Sequence, residues 1–286
     1  MTLQGRVGVV TGGGRGIGMH IARALAREGM DLVLAARTEQ QLEAVRAGIE
    51  KDFGVRCLAQ RTDVSRPEEV AALIERARRD LGALHVLVNN AGIYGPICEL
   101  GDAKPEEWQR AIEVNLLGTV WASRAALPVF RAQGGGRIIN LAGAGVGGPS
   151  VTPRISAYAA SKAAVVQFTE SLAREVSQWN VQVNAIAPGA VSTEITAAVI
   201  AAGPEKAGKD FYERSRRQLE QGGDPPELAA RLAVWLAGDG AGKLTGKLLS
   251  AKWDKLEGID PEAANRSSLF TLRRIDGALF TEVPKT

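Results

Sequence analysis

Short apolar runs alternate with longer helix-patterned stretches through most of the chain, and this alternation restricts the fold more than any other feature. RVGVVT (6–11) precedes a helical pattern over 16–28, DLVLAA (31–36) precedes one over 39–52, and VRCLAQ (55–60) precedes one over 67–81. LHVLVNN (84–90) then leads to 105–132, and GRIINLA (136–142) to a helix from about 157 to 178, before VQVNAIAP (181–188). Strand and helix in strict turn build βαβ units, whose strands run parallel and are covered by helices on both faces. The strands read as continuous apolar runs for the same reason. The expected fold class is α/β, a doubly wound parallel sheet of about seven strands.

The later part is less regular. From Ser192 to Gln221 an Ala-rich apolar piece, ITAAVIAAG, leads into a charged one, KDFYERSRRQLE. So long an excursion between sheet elements is expected to form a lid or binding loop. DPPELAARLAVWLAG predicts one more helix, with Asp224 as its N-cap and Pro225 in its first turn. KLLSAK supplies a last strand. Residues 1–251 are thus expected to form one domain that includes the lid 192–221, and residues 252–286 a C-terminal extension.

Composition removes several function classes. Hydrophobic residues make up 45% and charged residues 23%, the balance of a globular chain rather than a disordered one. A net charge of +3 is too small and too scattered for a nucleic-acid partner; Arg214, Arg216, Arg217, Arg273 and Arg274 read as solvated faces. With only Cys57, Cys98, His20 and His85, and no ligand spacing among them, no metal site is expected. MTLQGRVGVVTGGG lacks a signal-peptide pattern, and no window approaches 18 uninterrupted apolar residues, so the expectation is a cytoplasmic protein without a membrane partner.

The first strand runs straight into TGGGRGIG (11–18) and a helix. Glycines there let the backbone approach a pyrophosphate, which the N–H groups and dipole of the helix N-terminus hold. Gly12, Gly16 and Gly18 are spaced GxxxGxG, not GxGxxG. With Asp63 in RTDV, Asn89-Asn90-Ala91-Gly92, Asn115 in EVNLLGT, Tyr158-x-x-x-Lys162, and Pro188-Gly189 with Thr193, the chain resembles the short-chain dehydrogenase/reductase family over roughly residues 3–250. The resemblance implies a Rossmann-type fold and a cofactor site of Gly12, Gly14, Arg15, Gly16, Ile17, Gly18, Arg37, Thr38, Asp63, Val64, Asn89, Ala91, Gly92, Lys162, Pro188, Gly189, Val191 and Thr193. The second strand ends LVLAARTE, with no acid at Ala35 or Ala36 to accept from a ribose 2′-OH. Arg37 follows, and Arg15 lies in the glycine loop; two guanidiniums suit a 2′-phosphate, so the expected cofactor is NADP (NADPH).

Tyr158 and Lys162, four apart, fall on one helix face. A phenol with a pKa of about 10 is a poor base at neutral pH, and an adjacent ammonium is expected to lower it. By the resemblance Tyr158 is the acid/base, Lys162 also holds the nicotinamide ribose, and Asn115 supports a proton-relaying water. One element departs from the family. Where its strand before Tyr usually ends like NxSS, this chain has Asn140-Leu141-Ala142-Gly143, and the interval from Gly143 to Tyr158 is longer than usual. Backbone N–H groups around Gly143, Ala144 and Gly145 could replace the missing hydroxyl, Ser150 or Ser156 could fold back, or the site could be impaired. Ser156 reads more readily as a helix cap. The small residues 142–144 also suggest room for a bulky substrate. Arg154 reads as an exposed loop cation that could alternatively meet a polar substrate group, and Tyr94 with the 193–220 segment is expected to complete the pocket.

The resulting expectation is an NADP(H)-dependent oxidoreductase that interconverts a ketone or aldehyde and an alcohol. The alternatives are a nucleotide-binding member with little redox activity, acting as a regulatory or assembly subunit, and a member adapted to dehydration or epimerisation. The resemblance also implies a homodimer or homotetramer joined through helices 105–132 and 157–178. LTGKLLSAKWDK departs from the family's usual ending, and SLFTLRRIDGALF carries enough apolar side chains to dock near the active-site mouth, on a neighbouring subunit or on its own domain.

Overall fold

The structure is a computed structural model that describes residues 2–143, 146 and 151–273. Its seven strands are β1 (Val7–Thr11), β2 (Asp31–Ala36), β3 (Cys57–Arg61), β4 (Val86–Asn89), β5 (Gly136–Leu141), β6 (Val181–Ala187) and β7 (Leu248–Ser250). They form one sheet in the order β3-β2-β1-β4-β5-β6-β7, and every pairing is parallel. Chain order reverses beside β1, so the crevice above β1 and β4 is the topological switch point where such sheets bind ligands.

The helices between the strands are α1 (Gly16–Arg27), α2 (Glu39–Phe53), α3 (Pro67–Leu81), α4 (Pro105–Ile112), α5 (Gly118–Ala132) and α6 (Ser156–Glu175). After β6 come α7 (Glu194–Ala207), α8 (Lys209–Gln221) and α9 (Pro226–Ala237), and after β7 a short α10 (Pro261–Arg266). Side chains of β1 alternate between the two faces, so Val10 packs with Ile21, Leu25, Leu42, Ile49, Leu232 and Leu236 from α1, α2 and α9. Val9 points the other way, into a layer with Leu73, Ile74, Ala122, Phe130 and Leu172 from α3, α5 and α6. Each such Val, Leu, Ile or Phe side chain, withdrawn from water, contributes about 1.5–3 kcal/mol.

Two elements depart from the sequence reading. The helix expected over 105–132 is divided by one wide π-helical turn, Glu113–Leu117, between α4 and α5. Asp224 does not cap α9, which begins at Pro226 after Pro225 and has no side-chain cap. Its carboxylate instead accepts from the Ala190 N–H at 2.7 Å and pairs with Lys252 at 2.8 Å, while its own N–H donates to the Ala190 carbonyl. A second Asp224 role therefore replaces the first: it clamps the two stems of the 192–221 excursion together.

The extension up to residue 273 docks on its own domain. Strand β7 is the sheet edge, and its outward N–H groups both have partners: Leu248 N–H donates to the Phe270 carbonyl at 2.7 Å and Ser250 N–H to the Asp254 carboxylate at 2.7 Å. The buried Lys247 ammonium donates to the Ser267 and Leu269 carbonyls, and Arg273 pairs with Glu170. The remainder of SLFTLRRIDGALF, from Arg274 onward, lies outside the described residues.

Candidate active site

A cleft of about 510 Å³ opens at the C-terminal ends of β1, β2 and β4. Its floor is the glycine loop. Gly12 and Gly16 have φ of 66° and 52°, a region that favours glycine, and a β-carbon on Gly18 would stand 2.3 Å from the Gly12 carbonyl oxygen. The loop is tied to β4 by Asn90, whose Nδ2 donates to the carbonyls of Thr11 and Gly12, and by Thr11 Oγ1, which accepts from the N–H groups of Asn90 and Ala91. No side chain caps α1, so its first amides are left for a ligand. This cradle fits a dinucleotide pyrophosphate.

Of the predicted cofactor residues, Gly12, Gly14, Arg15, Gly16, Ile17, Arg37, Thr38, Asp63, Val64, Ala91, Gly92 and Thr193 line the cleft. Gly18, Asn89, Lys162, Pro188, Gly189 and Val191 do not. Asn89 turns inward, its Nδ2 donating to Asn140 Oδ1 at 2.9 Å and Ser123 Oγ at 3.2 Å, so it joins β4 to β5 from beneath the site. Gly189, at φ 87°, packs against Asp224 in the lid stem. Asp63 lines the cleft with its carboxylate held by Arg110 at 2.6 Å and by Ser65, and those bonds keep its pKa below the usual carboxylate value although burial opposes them. Arg15 pairs with Glu194, the first residue of α7. Arg37 is exposed at the cleft wall, and among the described residues no carboxylate pairs with it. Thr193 forms a capping box with Thr196 and so fixes the start of the lid beside Gly16.

Lys162 and Asn115 stand behind Gly92, and Tyr158 lies one turn before Lys162 on α6. A β-carbon on Gly92 would lie 3.3 Å from Asn115 Oδ1 and 3.5 Å from Lys162 Nζ, so the absent side chain brings these two groups up to the cleft wall. Asn115 sits in the π turn, a common device at functional sites. Its Nδ2 donates to the Ile93 carbonyl and Ser161 Oγ, and its Oδ1 accepts from Ile93 N–H, which leaves one Oδ1 lone pair for a water. Tyr158 and Lys162 are 7% and 4% exposed, from one face of α6. Burial pulls the Lys162 pKa down to about 8. Burial, with a smaller repulsion from Tyr94, pushes the Tyr158 phenol up. The expected lowering of Tyr158 by Lys162 is therefore not seen: the ammonium is 6.0 Å from the ring centroid and donates to the Leu141 carbonyl at 2.7 Å.

The chain around the missing serine behaves differently from expectation. A β-carbon on Gly143 would stand 2.5 Å from the Tyr158 hydroxyl and 2.8 Å from Lys162 Cγ. The space a Gly143 side chain would take is occupied by the Tyr158 hydroxyl and the Lys162 stem. Ser156 neither caps α6 nor folds toward Tyr158; it is the first helical residue, and its Oγ accepts from Trp108 Nε1 at 3.1 Å. Arg154 is not a free cation, since it donates to the Glu205 and Lys206 carbonyls at the end of α7 and pairs with Glu99 at 2.7 Å. Ala144, Gly145 and Ser150 lie outside the described residues.

Comparison with known proteins bears on this geometry. The family model described as short chain dehydrogenase matches residues 6–202. A short chain dehydrogenase/reductase of Aspergillus oryzae is 34% identical over 250 residues, 87% of this chain and 94% of its own length. This chain belongs to the short-chain dehydrogenase family. Among solved members, a putative short-chain alcohol dehydrogenase of Sinorhizobium meliloti is 34% identical at a TM-score of 0.78, covering 90% of this chain and 99% of its own. A xylitol dehydrogenase with bound NAD+ (28%, TM-score 0.77, 87% and 98% covered) and an actinorhodin polyketide ketoreductase variant with NADPH (30%, 0.77, 87% and 97%) are also similar. The short-chain dehydrogenases are oxidoreductases that use a nicotinamide dinucleotide.

Sequence reasoning missed Thr11, Asn90 and Glu194 as parts of this site. The first two were visible as motif letters, but nothing in the sequence says that Asn90 rather than Asn89 faces the glycine loop. Glu194 carried no signal, because its partner Arg15 is far away in sequence. No helix among the described residues is long and apolar enough to cross a membrane, and no group of three or more His, Cys, Asp or Glu among them could hold a metal.

Proposed function

We propose that the chain is an NADP(H)-dependent oxidoreductase that interconverts a ketone or aldehyde and the corresponding alcohol, with Tyr158 as proton donor and acceptor. The observation that carries the reading is the burial of Tyr158 and Lys162 on one face of α6, with the Lys162 ammonium behind Gly92 in the wall of a glycine-floored cleft. When bound, the cofactor supplies or accepts the hydride. The chain's residues do the rest. The α1 amides and the Gly12–Gly18 loop would hold its pyrophosphate, Asp63 and Val64 would meet its adenine half, and Lys162, behind Gly92, would anchor its nicotinamide ribose. A phenol pushed up by burial is protonated at neutral pH, so Tyr158 Oη is set to give its proton to a carbonyl oxygen and to take it back in the oxidative direction.

Preference for NADP rests on Arg37, which has no carboxylate partner among the described residues and follows a strand end without an acid. Similar structures with NAD+ and with NADPH leave the choice to these residues. The test is equilibrium binding of NADPH and NADH to the wild type and to Arg37→Ala. Charge-assisted bonds to the 2′-phosphate predict about 10-fold to 100-fold tighter binding of NADPH, lost in the variant. Equal affinity of the wild type for both cofactors refutes the preference. We place the protein in the cytoplasm as a homodimer or homotetramer joined through α4, α5 and α6, with an uncharged carbonyl compound as substrate and no nucleic-acid or membrane partner.

A further inference from the structure

We propose that Tyr94 is a specificity-determining residue of this site: with Phe211 it forms an aromatic gate over Tyr158 that admits uncharged carbonyl compounds carrying a flat apolar ring. The inference deepens the oxidoreductase reading and rests on it for the identity of the reaction. Tyr94 follows Ile93, whose N–H and C=O are both held by Asn115, and precedes Gly95, which has φ 72°. The backbone is pinned on one side of Tyr94 and turns sharply on the other, so the ring is presented at a fixed place. There it stands edge-on to Tyr158, with centroids 4.6 Å apart and planes at 72°. Its opposite neighbour is Phe211 of α8, 6.3 Å away at 83°. Tyr94 lines the cleft, whereas Tyr158 is 7% exposed and does not. A carbonyl reaching Tyr158 from the cleft must therefore displace the Tyr94 ring, and with it the contact to the lid.

What enters has to make good that contact. Aromatic pairs prefer edge-to-face or offset stacking, so a ring beside the carbonyl recovers the interaction that Tyr158 gives up and an alkyl chain does not. Apolar residues Ile93, Ile195 and Ala198 line the same cleft. The nearby charges are engaged: Arg15 by Glu194, Arg154 by Glu99 and two carbonyls, and Arg214 over the Phe211 ring at 6.0 Å. The Tyr94 hydroxyl has no hydrogen-bond partner among the described residues, and burial pushes its pKa up to about 12, so the ring and not the hydroxyl carries the effect.

The test separates binding from chemistry. Protein saturated with the oxidised cofactor has no hydride to give a ketone, so calorimetric titration with acetophenone and with 2-butanone reads the gate alone. The wild type is expected to bind acetophenone at least about tenfold more tightly than 2-butanone, one aromatic contact with its buried area. Phe211→Ala should abolish that preference with cofactor affinity unchanged, Tyr94→Ala should abolish it as well, and Tyr94→Phe should keep it. No preference in the wild type, or a preference that survives in both alanine variants, overturns the proposal. Should Tyr94→Ala not fold, Phe211→Ala, on the lid, decides alone. Selective binding of acetophenone without any NADPH consumption would leave the gate standing and refute the oxidoreductase reading instead.

Discussion

At position 143 the chain carries no side chain, and the space a β-carbon would take is filled by the Tyr158 hydroxyl and Lys162 Cγ. A serine there does not restore a missing donor in this backbone; it collides with the Tyr158 hydroxyl. Gly143→Ser is therefore expected to lower turnover and to destabilise the fold by about 1–3 kcal/mol, the usual cost of overpacking. Steady-state kinetics and denaturant unfolding read both, and a rate gain would mean that Tyr158 has another resting position. Lys162 gives a second prediction. Its folded-state pKa, about 8, lies below the 10.5 of the unfolded chain, so at pH 7 folding confines a charge that burial disfavours. Between pH 8 and pH 10.5 the unfolded state binds more protons, and this group's contribution to stability rises with pH. Lys162→Met should thus raise the melting temperature at pH 7 and give a smaller gain at pH 10. An equal gain at both values would contradict a depressed pKa.

At the scale of elements, two arrangements hold the site in place. The π turn Glu113–Leu117 brings Asn115 under Ile93, so its amide fixes the loop that carries Tyr94. The extension closes the sheet edge, taking the outward N–H groups of Leu248 and Ser250 and the ammonium of Lys247. Unpaired edges invite pairing with another chain, so this closure has a consequence. Deleting 258–286 removes the partners of Leu248 and Lys247; hydrogen exchange at Leu248 should speed up, stability should fall by about 2–4 kcal/mol, and association should increase. Unchanged exchange at Leu248 would show that Phe270 does not cap the strand in solution. The alternation of apolar runs with helical patterns made six strands and their helices legible to within a few residues, because each βαβ unit is locally encoded. The π turn was not legible, since its residues are as helical as their neighbours. The roles of Asp224, Arg154 and Ser156 were misread because their partners Ala190, Glu205 and Trp108 are distant in sequence.

For the whole molecule, the reversal of strand order beside β1 sets the cleft, the glycine loop forms its floor, and Gly92 brings Asn115 and the buried Lys162 ammonium up to its wall. The motifs for these parts were readable because close approach leaves only glycine at Gly12 and Gly18, and because Tyr158 and Lys162 need helical spacing to share a face. Cofactor choice and substrate class were less readable, since they depend on which side chains face the cleft. The lid stem joins these levels. Lys252→Ala, which removes the pair with Asp224, is expected to loosen residues 192–221 and raise KM with little change in kcat, and an unchanged KM would show that Asp224 holds the stem through Ala190 alone. The most direct test of the central claim follows nicotinamide absorbance while the protein meets NADPH and a panel of ketones and aldehydes, beside Tyr158→Phe. Carbonyl-dependent oxidation of NADPH is expected in the wild type and should fall at least about a hundredfold in the variant while NADPH binding is retained. Turnover of the same rate in Tyr158→Phe, or tight NADPH binding by the wild type with no carbonyl reduced, would contradict that claim.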